Sequence, residues 1–396
     1  MTGTLEDLYR DLHAHPELAF EEHRTAGIAA ERMRALGLEV TEGVGGTGVV
    51  AVLENGAGAT VWLRADMDGL PVQEQTGLDY ASVVEGVMHA CGHDMHVTWL
   101  IGAIERLVET RSEWSGTVVA VFQPAEELIS GARAMIDDGI ATRFPRPDIV
   151  LGQHVGPLPA GVVSITAGAA MAGADELEVV LHGQGGHGSR PETTIDPVLA
   201  AASTVVRLQS IVSREVTPGE LAVVTVGKLE AGTKSNIIPA IAHLGINIRT
   251  ISPATREKVI AAVGRIVRGE AAAAGMTVEP EVIQGLSAPA TINSVPHVEA
   301  LRTTFAEAWG EQSVTDFGTV SGSEDVGLLA TATDAPLVFW ITGGADPVAF
   351  AAAMAAGRME QDIPSNHSPF FAPVLQPTIE RGVDALVIAA RSNLGA

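Results

Sequence analysis

Met88-His89-Ala90-Cys91-Gly92-His93-Asp94-Met95-His96 is the stretch on which the reading of this sequence turns. It holds the chain's one cysteine and three of its twelve histidines, with an aspartate among them. Cys91 and His93 stand two apart, so a helix would point them to different faces, whereas an extended turn lets them converge. From Val97 to Glu109 the pattern is amphipathic, with Leu100, Ile104, Leu107 and Val108 on one side. The spacing predicts a loop feeding a helix N-terminus, where the positive dipole end would favour a thiolate. Soft sulfur, imidazole and carboxylate together suit a borderline divalent ion such as Zn²⁺, Mn²⁺, Ni²⁺ or Co²⁺. The plain alternative is a buried free cysteine beside surface histidines, since no C-x-x-C or H-E-x-x-H pattern accompanies the stretch. Any further ligands must come from elsewhere in the chain.

Three apolar runs supply candidates. Thr60–Leu63 leads into Arg64-Ala65-Asp66-Met67-Asp68-Gly69-Leu70-Pro71, Thr117–Phe122 into Gln123-Pro124-Ala125-Glu126-Glu127, and Asp148–Gly152 into Gln153-His154-Val155. Runs of this kind are strands buried on both faces of a parallel sheet. Helical patterns lie between them, giving a strand-helix-strand order. Each run thus delivers polar groups at its C-terminal end: Asp66 and Asp68, Glu126 and Glu127, and His154. Open parallel sheets place their ligands beyond those ends. Two aspartates after a strand can be plain turn residues and Glu126–Glu127 a helix N-terminus, but the three-fold coincidence favours a metal site.

The remainder of the chain frames this core. Leu5–His15 reads as a helix stopped by Pro16, followed by a helix from about Phe20 to Leu36 with Gly37 as its cap. Gly48–Leu53 is a further strand. The small residues of Ala167–Ala174 suggest a flexible linker, after which the rhythm changes. Strand Glu176–His182, helix Asp196–Val212, strands Leu221–Leu229 and Ile241–Thr250, helix Ala254–Ala274 and strand Met276–Val282 make a β-α-β-β-α-β, ferredoxin-like insertion. The first fold resumes near Ser287, with helices Val298–Trp309 and Gln376–Arg391 and a buried strand Pro336–Ile341. The expected organisation is a first domain over 1–170 and 287–396, which carries the candidate metal residues, interrupted by an inserted domain over 171–286.

The bulk properties agree with a protein of this kind. A chain of 396 residues, 46% apolar and 18% charged, can bury two cores. A net charge of −24 argues against nucleic acid or an anionic membrane as partner. One cysteine cannot form an intramolecular disulfide. Neither a basic, apolar leader nor a spanning segment is visible, the Ala-rich run Val348–Gly357 being too short. A cytoplasmic location is the expectation.

Taken together, the stretches resemble the metal-dependent amidohydrolase and carboxypeptidase family that includes hippurate hydrolase, bacterial N-acyl-amino-acid amidohydrolases and plant auxin-conjugate hydrolases. The resemblance rests on His13–Glu17, RADMDGLP at 64–71, MHACGHDMH at 88–96, FQPAEE at 122–127 and GQHV at 152–155. It continues with GQGGHGSRP at 183–191, SNIIP at 235–239, SEDVG at 323–327 and NHSPFF at 366–371. It implies an α/β fold of zinc-exopeptidase type, with a mixed, mostly parallel sheet flanked by helices, and an inserted lid and dimerisation domain. It also implies two divalent ions per subunit (Mn, Zn, Ni or Co), held by Cys91, His93, Glu127, His154 and His367. Glu126 then matches the general base and Asp68 a group that orients a ligand. Asp66 stands where the wider family has a ligand histidine. His187 matches an oxyanion-binding histidine supplied across a dimer interface, and Asn236 and Arg249 match groups that hold the substrate carboxylate. His13, His23, His89, His96, His182, His243 and His297 are read as non-ligands, with His89 and His96 nearest the metal set. The activity implied is amide hydrolysis of an N-acyl amino acid or a related small conjugate by a homodimer or higher homo-oligomer. The alternatives are a metallo-dipeptidase or carboxypeptidase of the same fold, and a metal- or ligand-binding protein without turnover.

Overall fold

Apolar strands flanked by amphipathic helices bury their side chains on two cores, and the chain divides accordingly. The structure, a computed structural model, describes residues 3–395. One compact unit takes in the chain up to Ala170, Thr291–Thr319 and everything from Asp325 on; the second comprises Met171–Ala290 and Val320–Glu324.

The first unit is built on an eight-stranded sheet. Its centre is the parallel set Gly116–Gln123, Thr60–Asp66, Ile149–Pro159 and Leu337–Ala345, in that spatial order. Glu39–Val44 and Gly48–Asn55 extend it antiparallel at one edge. Val61, Leu63, Val118, Ala120 and Leu151 face the helices Leu5–Ala14, His23–Ala35, His93–Glu109 and Thr378–Arg391 in the main core. Trp62, Val119, Val121 and Val150 on the opposite face are buried too, so the runs are apolar throughout rather than alternating.

Parallel register places the polar groups. Asp66 lies beside Gln123, and Arg64 lies beside Gly152, so two residues further on Asp66 and His154 reach the same level. His154 is nevertheless not at a strand end, as the sequence suggested. Its strand runs on to Pro159 because Leu337–Ala345 keeps pairing with it.

Helix boundaries follow local chemistry. The first helix starts at a capping box between Thr4 and Asp7 and stops at Ala14. The second begins at His23 rather than Phe20, whose φ of +64° keeps it out of a helix. Gly37, at φ +83°, follows its last turn.

The second unit is a four-stranded antiparallel sheet in the order Ala222–Ala231, Ile241–Thr250, Gly173–His182, Glu281–Ala288. Pro197–Leu208 and Pro253–Ala273 supply its helices, started by Asp196 and Ser252, whose side chains accept from backbone N–H groups of the first turn. Leu177, Val179, Leu244, Ile246, Val259 and Val263 form its core. With strand order two-three-one-four this is the ferredoxin-like arrangement. Two local expectations fail. The last strand lies at Glu281–Ala288, not Met276–Val282, because the turn after Ala273 is longer than the pattern implies. The small-residue stretch near Ala167 is not a loose linker, since Gly168–Met171 pairs with Thr291–Asn293. Among the described residues no helix is long and apolar enough to cross a membrane.

Candidate metal centre

The helix expected from Val97 begins at His93, four residues earlier, so His93 is its first residue and Cys91 lies just ahead of it. Gly92 makes this possible. Its φ is +85°, and a Cβ there would come 2.3 Å from Val155 Cγ1, so only glycine lets the chain reverse against the strand. Cys91 and His93 then turn to one side, with Cys91 Sγ 3.4 Å from His154 Nε2.

Five donor sets lie among the described residues, and three of them are built from the expected ligands and Glu126. Cys91, His93 and His154 form one, Cys91, Glu127 and His367 a second, and His93, Glu126 and Glu127 a third, with the donor atoms of each within 4.8 Å of one another. The structure therefore brings all five residues expected to ligate, and Glu126 beside them, into one place.

Glu126 and Glu127 sit on a tight turn after the Gly116–Gln123 strand, not at a helix start. Ala125 and Ile129 flank them, each at φ +49°. Gly131 closes the turn so tightly that a Cβ would stand 1.5 Å from the Pro124 carbonyl oxygen. Asp68 holds the turn from below. Its Oδ1 accepts the Glu126 N–H at 3.1 Å and its Oδ2 accepts the Glu127 N–H at 3.0 Å. Oδ1 also lies 3.1 Å from His93 Nδ1. A carboxylate on Nδ1 sets the ring's proton there and leaves Nε2 to face the site. Nε2 lies 3.9 Å from both Glu126 Oε2 and Glu127 Oε1.

His367 arrives from a distant loop at φ +68°. Its N–H donates to the Ala90 carbonyl at 2.8 Å, and its Nε2 lies 3.3 Å from Glu127 Oε2. Asn366, which the sequence reading passed over, fastens this loop. Its Nδ2 donates to the carbonyls of Cys91 at 3.0 Å and Val155 at 3.1 Å. Its only sequence signal was its place beside His367.

His93 Nε2 and Glu127 Oε1 are buried and have no hydrogen-bond partner among the described residues. Buried polar atoms rarely stay unpaired, and these two face one another. A thiolate, imidazoles and carboxylates around such a pair fit one or more divalent cations. As free side chains the groups perturb one another strongly. Burial, then Glu127, pushes the Cys91 thiol up, so the helix dipole alone does not give the thiolate expected from sequence. Cys91 and Glu127 raise His367 to about 10. Burial works against the Glu127 carboxylate, but His367 and His93 hold it below its usual range.

Asp66 adjoins the centre too, with its Oδ2 3.8 Å from His93 Nε2, and it forms a further donor set with His93 and His96. Its Oδ2 takes Arg64 Nη1 at 2.6 Å, and its Oδ1 pairs with His96 Nδ1. His96 Nε2 in turn accepts the Val155 N–H at 2.8 Å. With Nε2 an acceptor, His96 carries its proton on Nδ1, and burial keeps the ring neutral by lowering its pKa. Both residues are thus occupied in bracing the strand that carries His154. Arg64, buried, also binds Gln123 Oε1 at 2.9 Å and Asp325 Oδ1 at 3.2 Å. Neither contact could be read from the linear sequence.

The three remaining candidates belong to the second unit. His187 lies opposite Ile237 in the short pairing of Gly186–His187 with Ile237–Ile238, and Gly188 N–H donates to the Asn236 carbonyl at 2.8 Å. His187 and Asn236 are neighbours, both exposed. The Ser189 N–H donates to His187 Nδ1 at 3.1 Å, so the proton of the neutral ring is on Nε2. Arg249 is half-buried and holds Asn247 Oδ1 at 3.0 Å and Ser323 Oγ at 2.5 Å.

Comparison with known proteins places this geometry. The model of the peptidase family M20/M25/M40 matches residues 62–364. Hippurate hydrolase of Campylobacter jejuni is 39% identical over 332 residues, covering 83% of this chain and 85% of that protein. Thermostable carboxypeptidase 1 of Saccharolobus solfataricus is 39% identical over 290 residues, covering 72% and 73%. The YXEP protein of Bacillus subtilis, a dinuclear metal binding peptidase from the M20 family, superposes with a TM-score of 0.78 at 29% identity over 98% of both chains. The chain belongs to the peptidase family M20/M25/M40.

Proposed function

We propose that the protein is a metal-dependent amidohydrolase that cleaves the amide bond of an N-acyl amino acid or a related small conjugate. The observation that carries this reading is the Glu126–Glu127 turn. Glu127 shares two donor sets with Cys91, His93 and His367, while Glu126 stands beside it with its Oε2 3.9 Å from His93 Nε2. In this reading one carboxylate of the pair holds metal and its neighbour carries a proton.

In this reading Cys91, His93, Glu127, His154 and His367 hold two divalent ions, drawn from Mn²⁺, Zn²⁺, Ni²⁺ and Co²⁺. When bound, such ions would polarise the amide carbonyl and lower the pKa of water so that it gives up a proton readily. Glu126 takes the proton from the attacking water on its carboxylate and passes it to the leaving amine nitrogen. Asp68 keeps His93 and the turn in register for this, through the three contacts described above. His187, with its proton on Nε2, can donate to an oxyanion. Arg249 and Asn236 are assigned to the free carboxylate of the substrate, for which a guanidinium suits by paired donors. The reading includes a homodimer in the cytoplasm whose second unit serves as lid and dimer surface. The likeness to hippurate hydrolase supports an acyl-amino-acid substrate, whereas that to thermostable carboxypeptidase 1 supports a peptide.

Hydrolysis of hippurate, N-acetyl amino acids and dipeptides by the metal-loaded protein separates the two. The expected order of kcat/KM puts the acyl amino acids first, and Glu126→Gln is expected to keep its metal and lose about 10²- to 10⁴-fold in kcat. Near-normal turnover by that variant would overturn the mechanism, and a preference for dipeptides would overturn the substrate class.

A further inference from the structure

His13 is fully buried on the Leu5–Ala14 helix and has no part in the chemistry above. Its Nδ1 lies 2.6 Å from Asp94 Oδ2 and its Nε2 lies 3.3 Å from Glu74 Oε1. Asp94 also accepts the Met95 N–H at 2.9 Å, and Glu74 accepts the Ser82 N–H at 2.6 Å and the Thr76 hydroxyl. Ionised carboxylates only accept, so both ring nitrogens of His13 must donate, and the ring is an imidazolium. The Tyr9 and Tyr80 rings close the pocket, with centroids 5.6 Å and 5.4 Å from that of His13. Shielded from water, the two charge-assisted bonds are strong and directional.

The bracket has consequences for the metal centre because of what its arms carry. Asp94 is the residue after His93, in the first turn of the helix that presents it. Glu74 belongs to the loop over residues 72–87, whose Val83 N–H donates to the Ala14 carbonyl at 2.9 Å. The same loop's Gln75 N–H donates to the Pro369 carbonyl at 2.8 Å, two residues beyond His367. One buried cation thus joins the segment bearing His93 to a loop that also holds the His367 loop.

We propose that His13 is a positioning residue for the metal centre, fixing through Asp94 and Glu74 the direction in which His93 is presented. The inference rests on the metal-binding reading above. The shift of the His13 pKa is in keeping with it: burial acts to lower it, but Asp94 and Glu74 outweigh burial and raise it to about 9.

The test uses full-length protein loaded with Mn²⁺ and then challenged with a chromophoric chelator. His13→Gln is expected to release Mn²⁺ about tenfold faster than wild type or more, as loss of outer partners of a metal ligand does. Its kcat is expected to fall with KM within about twofold. Glu74→Gln, which keeps the His13–Asp94 pair, should move the same way by less, and it serves if His13→Gln does not fold. Tyr9→Phe, which removes a buried hydroxyl without a partner from the same pocket, should release Mn²⁺ at the wild-type rate. If the His13 and Glu74 variants lose heat stability yet release Mn²⁺ at the wild-type rate, His13 is structural only and the inference is overturned. Failure of the wild type itself to bind Mn²⁺ would instead remove the metal-binding reading and this inference with it.

Discussion

His13 gives the clearest consequence at the scale of single residues. Around it stand the Asp94 and Glu74 carboxylates, the Tyr9 and Tyr80 rings, and Arg10 over the face of Tyr80. Its pKa is raised from 6.5 to about 9 on folding. A raised pKa stabilises the folded state fully below 6.5, and that contribution is lost as pH rises through 9. Such a shift corresponds to on the order of 3 kcal/mol. Asp94 and Glu74 titrate in the opposite sense, both held below their usual range and losing their contribution in acid. Urea unfolding should therefore show the wild type losing more stability between pH 6 and pH 9.5 than His13→Gln does. Equal losses would refute it. Cys91, His93, Glu126, Glu127 and His154 were legible as residues because their chemistry is rare and because Glu126, Glu127 and His154 each follow a continuous apolar run. Asp66 and His96 were not, since their roles depend on which atoms face Arg64 and the Val155 N–H, and no linear pattern encodes that.

Among the elements, the His93–Glu109 helix shows how one turn decides a site. Its amphipathic pattern is plain only from Val97, because Asp94 and His96 are polar yet buried and break the apolar stripe. Gly92 is the position on which the start of the helix depends. In Gly92→Ala the φ of +85° and the clash with Val155 act together, and a loss of about 2–4 kcal/mol is expected, combining left-handed strain with overpacking. Thermal unfolding of the metal-free protein checks the stability, and metal analysis should show occupancy falling with it. Unchanged stability would mean that Val155 moves aside at little cost. The strands were easier to read than the helix starts, since a continuous apolar run survives any local detail of capping. The strand of His154 was read too short because its extension depends on pairing with Leu337–Ala345, far away in sequence.

Over the whole molecule, the candidate ligands span positions 91 to 367 and lie on four separate segments, so metal binding and folding of the first unit are linked. A ligand that binds only the folded state adds about 2.7 kcal/mol at a hundredfold excess over its Kd. Chelation should accordingly lower the melting temperature by about 5 °C or more, and added Mn²⁺ should restore it. A melting temperature indifferent to metal would argue against a centre assembled from these segments. The sequence by itself determined the residue types able to bind a borderline metal, the parallel-sheet character of the central strands and the β-α-β-β-α-β pattern of the second unit, because periodicity and side-chain chemistry are local properties. Only the tertiary structure decided that Asp66 is held by Arg64 and His96, that Asn366 ties His367 to the Cys91 segment, and that His13 is a charged bracket behind His93. Each of those depends on atoms brought within about 3 Å from distant parts of the chain, at which range a hydrogen bond has a direction and a partner.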